Sequence, residues 1–137
     1  MTSVTVQLPI YWTRHFKTKP PKTHLAGMNW FRNAYRFDQN NFKQEFTSLV
    51  LDQLDNEVIS SPFELHMELH YKNPSCDPSN IVALIEKVVL DAFQKGNVIE
   101  EDNVKHHKGS SWAVEGQDKE NPRCLITIRS LNDNQSN

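Results

Sequence analysis

Cysteine is scarce in this sequence and long apolar runs are absent, and each shortage excludes a class of protein. The two cysteines, Cys76 and Cys124, are too few for a disulfide scaffold and lack the CxxC spacing of a zinc site. We interpret both as buried thiols in a reducing compartment. No apolar stretch approaches the roughly 18 residues that a membrane span needs, and no signal-peptide pattern is present. We therefore expect a soluble cytoplasmic protein.

Internal repeats and a composition break between domains are also missing. The 137 residues suffice for one domain, which would bury roughly two thirds of the surface that its unfolded chain exposes. We expect residues 1–131 to form this domain and the polar residues 132–137 to form a disordered tail.

Acidic residues are lacking between Tyr11 and Arg36, and this absence polarises the charge of the chain. Residues 11–36 carry +6, so the rest of the chain carries −8. Such a segment is typical of a surface that binds a polyanion, although a solvated basic loop fits the charge equally well. Aromatic side chains between the cations can stack on nucleic-acid bases or pack onto the core. The six cations are Arg14, Lys17, Lys19, Lys22, Arg32 and Arg36.

Periodic apolar residues predict two strands and two helices. In residues 1–10 and 63–71 every second side chain is apolar, which is the period of a half-buried strand. Two other segments have the spacing of amphipathic helices. They are 38–54, with Asp38 as its cap, and 77–95, with Asp77 at its start and Gly96 at its end.

The remaining segments predict less regular structure. Residues 13–37 show neither period and contain a Pro pair and a Gly, so we predict an irregular basic connection. We predict an extended segment with an acidic turn at 98–104, and a terminal hairpin of strands 110–115 and 123–130. Together these elements predict an α+β fold in which a small mixed sheet of about four to five strands packs with two main helices.

Asp77 is followed by Pro78, and this helix start has two interpretations. An N-cap Asp accepts a backbone N–H, and Pro at the first helical position loses no donor that the helix needs. A carboxylate held at a helix start also suits Mg²⁺, which prefers hard oxygen ligands. If the strands before and after the helix are parallel neighbours, the acidic turn need not lie near this helix start.

Two other pairs of polar residues give weaker indications of a functional site. His66 and His70 share one face of the strand 63–71, about 13 Å apart, which is too far for one zinc ion. We therefore name no histidine as a metal ligand. Lys87 and Asp91 lie four residues apart on a helix face, where an ion pair contributes only about 0.2–0.5 kcal/mol.

The segment DPSNIVALIEKVVLDAFQKGNVIEEDNVK, residues 77–105, resembles the core of the RusA-type Holliday junction resolvases. That family combines Asp-x-Asp-Asn, a helix with a Lys, an Asp-Ala-Leu step, a Gly and an acidic pair in the next turn. In addition, KTKPPKTHLAGMNWFRNAYR is similar to the basic N-terminal loop of these phage and prophage enzymes. ENPRCLITI is similar to their closing strand, so the resemblance covers most of residues 4–129.

The resemblance implies a homodimeric endonuclease that resolves four-way junctions and other branched DNA in a bacterial or phage-infected cell. Hydrolysis would use water activated by Mg²⁺, with Mn²⁺ as a substitute. The implied metal ligands are Asp77, Glu101 and Asp102, and the implied catalytic residues are Asp77, Lys87 and Asp102. Lys87 would stabilise negative charge at the scissile phosphate. The six cations of residues 11–36 would bind DNA.

Two departures from the family pattern bear on this function. Ser79 replaces the second Asp, which removes one charge from the implied metal site. About four extra residues before Glu86 move Lys87 about 6 Å further along the helix. Glu101 or Glu86, with the Ser79 hydroxyl or a water, can supply the missing oxygen. Asn80 and Asp91 are further accessory candidates on the same helix. The alternative is a module that binds branched or single-stranded DNA and has weakened catalysis.

Overall fold

The computed structural model describes residues 3–60, 62–99 and 106–131. It confirms the predicted α+β class, because a four-stranded mixed sheet and a two-stranded sheet combine with two long helices and one short helix. In chain order the elements are β1 (Ser3–Pro9), β2 (Tyr11–Arg14), β3 (Lys22–Leu25), α1 (Met28–Asn33), α2 (Arg36–Leu54), β4 (Phe63–Tyr71), α3 (Pro78–Lys95), β5 (His107–Gln117) and β6 (Arg123–Ser130).

The main sheet has the strand order β1-β6-β4-β5. β6 is antiparallel to both β1 and β4, whereas β5 is parallel to β4 and follows it through α3. Alternate residues of β1, β6 and β4 are buried, but none of the eleven residues described in β5 is. The buried face therefore extends across three strands, and among the described residues no strand lies on the outer side of β5.

The core lies between this face of the sheet and the long helices. Phe42 and Phe46, one turn apart on α2, have ring centroids separated by 4.3 Å. Phe93 of α3 meets Phe63 of β4 edge to face, with 6.0 Å between ring centroids. All four rings are fully buried. Within the described ranges, no helix combines the length and the apolar character needed to cross a membrane.

The predicted irregular connection is wrong for much of its length. β2 and β3 form an antiparallel pair in which Trp12 lies opposite His24 and the hydroxyls of Thr13 and Thr23 are 2.9 Å apart. α1 follows after two residues. These elements have only four to six residues, which is too short for a clear period in the sequence. We call residues 11–36 the basic arm.

The two long helices differ in how well their starts were predicted. α2 begins at Arg36 after the N-cap residue Tyr35, so the prediction of Asp38 as its cap is wrong. Asp38 is buried in the first turn instead, where it pairs with Arg14. For α3, the predicted N-cap Asp77 and C-cap Gly96 are both confirmed.

The predicted terminal hairpin is also wrong. β5 and β6 lie on opposite sides of β4 and do not pair with each other. The crossover through α3 makes β5 a parallel neighbour of β4, and the turn after β5 then carries the chain past β4 to its other side. Val98 and Ile99 are not in a strand, and residues 100–105 and 132–137 lie outside the described residues.

Candidate functional site

Asp77 stands exposed at the start of α3, after the loop that leaves β4. It occupies the N-cap position with extended backbone angles, φ −95° and ψ 105°, but its carboxylate makes no capping hydrogen bond. Its Oδ1 instead accepts a hydrogen bond of 2.8 Å from the Ser79 hydroxyl. The helix start is thus as predicted, while the expected bond from the carboxylate to a backbone N–H is not formed.

Asn80, in the first turn of α3, joins this helix to the basic arm. Its Oδ1 accepts a hydrogen bond of 2.8 Å from the backbone N–H of Asn29 in α1. The N-cap of α1 is Gly27, which has no side chain to satisfy this donor, so Asn80 serves as the cap from another helix. Gly27 packs so closely that a Cβ there would lie 2.9 Å from Asn80 Cγ. The turn that carries Asp77 and the basic arm are therefore held together.

Lys87 and Asp91 form the expected ion pair on the exposed side of α3. The Lys87 ammonium lies 3.4 Å from Asp91 Oδ2, and both side chains remain about two-fifths exposed. Lys87 is ten residues after Asp77, which corresponds to about 15 Å along the helix axis. Glu86, beside it in the sequence, is half-buried. The helix therefore presents Lys87 to solvent but does not place it next to Asp77.

Glu101 and Asp102, the other predicted metal ligands, lie outside the described residues. Beyond them in the sequence, the His106 carbonyl accepts a hydrogen bond of 2.7 Å from the Phe63 N–H, at the start of β4 and β5. Asp77 lies at the other end of this β-α-β unit, because the 18 residues of α3 span about 27 Å. Among the described residues, no group of three His, Cys, Asp or Glu side chains is placed to hold a metal ion.

The basic arm presents most of its cations to solvent. Arg14 is the exception, since its guanidinium lies 3.2 Å from Asp38 Oδ2 and 4.6 Å from the centre of the Phe16 ring. The Lys19 ammonium lies 5.9 Å from the same ring centre. The exposed cations are Lys17 and Lys19 between β2 and β3, Lys22 in β3, Arg32 in α1 and Arg36 at the start of α2.

A cavity of about 530 Å³ opens between the β2–β3 pair, α1 and the first turn of α2. The sequence contains aromatic residues among the cations, but His24 was not singled out from it and Asp38 was given only the role of a helix cap. Only the pairing of β2 with β3 brings His24 opposite Trp12, and only the position of α2 brings Asp38 to Arg14. The charged and aromatic residues of the cavity lining include Arg14, Phe16, Lys22, His24, Trp30 and Asp38.

The cysteines do not add a reactive group to these sites. Cys124 is buried in β6 as predicted, and burial raises the pKa of its thiol to about 12. Cys76, beside Asp77, is only half-buried, and desolvation also raises the pKa of its thiol. Both thiols are therefore protonated at neutral pH, which makes them poor nucleophiles and poor metal ligands.

No protein-family model matches the chain, and no curated protein is significantly similar to it. A function is therefore inferred from the sequence motifs and the contacts described above.

Proposed function

We propose that the chain is a Mg²⁺-dependent endonuclease that hydrolyses phosphodiesters in branched DNA such as four-way junctions. The observation that carries the proposal is the Asp77 carboxylate, which stands exposed at a helix start without capping that helix. A purely structural N-cap would accept a backbone N–H. The same turn of α3 holds the basic arm through Asn80, so this carboxylate lies beside a surface suited to a polyanion.

In this proposal Asp77, Glu101 and Asp102 hold the cation. Their oxygens fit Mg²⁺, or Mn²⁺ as a substitute, because these cations prefer carboxylate and water ligands. When bound, the ion supplies an activated water as the nucleophile and neutralises charge on the phosphate. The exposed position of Asp77 leaves room for those waters and for a DNA backbone.

Ser79 weakens the carboxylate set on which this chemistry depends. Its hydroxyl donates to Asp77, which uses one lone pair of that carboxylate and adds no negative charge. Glu101 then supplies the further oxygen that the resembled family takes from a second Asp, because Glu86 is half-buried and lies about 13 Å along the helix axis from Asp77. A Ser79→Asp variant should therefore cleave faster than the natural chain at low Mg²⁺ concentration.

Lys87 enters the proposal as a cation for the DNA backbone. Its pair with Asp91 is exposed, and such pairs contribute only about 0.3–0.5 kcal/mol, so a phosphate can replace Asp91 at little cost. The separation of about 15 Å from Asp77 along the helix favours contact with a phosphate that neighbours the scissile one.

A homodimer is the second part of the proposal, and the edges of the sheet support it. At the β1 edge, the side-chain amide of Gln53 bonds both the N–H and the carbonyl of Gln7, at 2.7 and 2.8 Å. Among the described residues, no strand pairs with the outer side of β5. Trp112 and Val114 on β5 are 43% and 44% exposed. An open apolar edge of this kind suits strand addition from a second copy.

Antiparallel pairing of two β5 strands would also affect the active site. Centred on Trp112, it would place the start of one β5 beside the end of the other, where α3 of that subunit begins. His106 of the partner subunit would then approach the end of the sheet that carries Asp77. Glu101 and Asp102 precede residue 106 by only a few positions, and in this proposal they join Asp77 of the other subunit in one site.

The decisive experiment incubates a labelled four-way junction with the protein and Mg²⁺ or Mn²⁺. We expect symmetric nicks that disappear in Asp77→Asn and in Asp102→Asn while binding persists. Asp52→Asn, an exposed acid on α2, is the matched control and should cleave normally.

The alternative is a binding module for branched or single-stranded DNA, and Ser79 is the observation that favours it. Tight binding without cleavage in either metal would support this module and contradict the nuclease. Failure to bind branched DNA at low salt would contradict both.

A further inference from the structure

The cavity of the basic arm has the volume of a small-ligand site. Its volume of about 530 Å³ falls within the range of about 300–1,000 Å³ that is typical of such pockets. Its wall combines aromatic rings, cations and one carboxylate, which come from β2, β3, α1, the first turn of α2 and the connections between them. This mixture suits a planar ligand that carries negative charge and N–H donors.

The aromatic wall is a stack of rings. His24 lies nearly parallel to Trp30, with 5.4 Å between ring centroids and 24° between planes, and it stacks on Trp12 at 6.4 Å. Burial is the main cause that lowers the pKa of His24, so the ring is neutral at pH 7. Trp30 and His24 are both half-buried, which leaves part of each ring accessible from the cavity.

Asp38 supplies an acceptor that nothing in the described chain satisfies. Its side chain is only 8% exposed, and its Oδ2 bonds the Arg14 guanidinium at 3.2 Å. Its Oδ1 is buried and has no hydrogen-bond partner among the described residues. A buried acceptor without a donor is costly, and a ligand N–H would remove that cost.

The cations at the cavity mouth indicate where the charge of the ligand lies. Arg14 and Lys22 line the cavity, and Lys19 lies above Phe16 at its rim. In a single-stranded nucleic acid, phosphates lie on either side of each base. The positive groups around the aromatic wall are therefore placed to bind the phosphates that flank a stacked base. A paired base in a duplex would not fit, because its faces are stacked and its polar edge is already bonded.

We infer that this cavity receives one unstacked nucleobase with an exocyclic amino group, which stacks on the Trp30–His24 wall and donates to Asp38. Arg14, Lys19 and Lys22 bind the phosphates on either side of that nucleotide. The inference rests on the proposed function, because a branch point supplies the unpaired nucleotides. It adds a site for a single base on the arm, separate from the helix start at Asp77.

The test uses the full chain and short single-stranded oligonucleotides with one 2-aminopurine among abasic residues. We expect 2-aminopurine fluorescence to fall on binding as the base stacks on the rings. A fully abasic oligonucleotide should bind about 5- to 140-fold more weakly, the range for stacking of one base on an aromatic side chain. Replacing 2-aminopurine with unsubstituted purine, which lacks the amino group, should weaken binding several-fold. Equal affinity for the base-containing and abasic oligonucleotides would overturn the inference.

Substitutions inside and outside the cavity test whether the preference for the base-containing oligonucleotide arises there. His24→Ala, which removes one ring of the stacking wall, and Asp38→Asn should reduce the advantage of the base-containing oligonucleotide while abasic binding changes less. Phe37→Ala removes a ring that is 66% exposed and lies outside this cavity, so it should leave that advantage intact. If Asp38→Asn fails to fold, the oligonucleotide comparison with the natural chain still decides. An equal loss of the advantage in Phe37→Ala would contradict the assignment to this cavity.

Junction cleavage is measured in parallel, so that a failure of the nuclease proposal can be distinguished from a failure of the base-site proposal. Cleavage with no dependence of binding on the base overturns the base site alone. Base-dependent binding without cleavage overturns the nuclease and supports the base site.

Discussion

Gly27 shows how one residue can let two parts of the molecule, the basic arm and the start of α3, pack together. Its backbone is extended, at φ −122° and ψ 158°, so it is required for space and not for an unusual conformation. We expect Gly27→Ala to push Asn80 away from the Asn29 N–H and to lower the free energy of unfolding by about 1–3 kcal/mol. Denaturant unfolding measures this change.

Gly116→Ala is the matched control for that substitution. A Cβ at Gly116 would meet nothing within 4 Å, so its effect should stay within about 0.5 kcal/mol. Equal destabilisation by the two variants would contradict the steric role of Gly27.

Asp118, which follows β5, makes the free energy of unfolding depend on pH in the acidic range. The Asn121 N–H and then the Arg123 guanidinium, 2.7 Å away, hold the pKa of this carboxyl below its usual value. Its contribution is therefore fully present above about pH 4 and is lost as pH falls through the folded pKa. We expect the stability difference between the natural chain and Asp118→Asn to shrink as the pH falls below about 4, measured by denaturant unfolding. Asp52→Asn controls for the loss of one negative charge, and a difference that stays constant would refute the effect.

For individual residues, the sequence predicted their positions in the fold better than it predicted the contacts of their side chains. The Asp-Pro step located the start of α3, because capping chemistry is local. The partner of the Asp77 carboxylate was not predictable, since Ser79 competes with the helix backbone for it. Asp38 was mistaken for a cap because its true partner, Arg14, lies 24 residues away.

Among the helices and strands, β5 is the one from which the oligomeric state can be predicted most directly. If two copies pair along this edge, Trp112→Arg places a charge in the interface and should convert the dimer to a monomer. Sedimentation velocity or light scattering at micromolar concentration measures the change. Val58→Arg, at an apolar residue that is 72% exposed elsewhere, should leave the mass unchanged. A natural chain that is monomeric would contradict the proposed dimer.

Element prediction succeeded where a period ran long enough to be recognised. β4 alternates over nine residues and α3 keeps an apolar face over 18, so both were identified from the sequence. β2, β3 and α1 are too short for this, and their pairing depends on contacts between distant residues. Strand order failed for the same reason, because no local signal tells β6 to pass β5 and pair with β4.

For the whole molecule, if the basic arm binds DNA as proposed, the segregation of charge predicts how the affinity depends on salt concentration. Each phosphate contact from a cation contributes about 0.9 to the slope of log affinity against log salt on duplex DNA. Replacing Lys17, Lys19 and Lys22 with Gln should therefore reduce that slope by about 2–3 in a fluorescence titration. The triple Gln variant of Lys43, Lys95 and Lys119, outside the arm, should keep the natural slope. Equal changes in both variants would refute a localised binding surface.

The pairing of β1 with β6 has a consequence for biosynthesis. Ser3 lies opposite Arg129, so the first strand of the sheet finds its partner only in the last one. β4 also needs β6 on one side, about 60 residues later in the chain. The sheet therefore cannot assemble until β6 has left the ribosome, and contacts between such distant residues make folding slow. Until then the nascent chain exposes β1 and one side of β4 without their partner strand, and we expect chaperones to occupy them during translation.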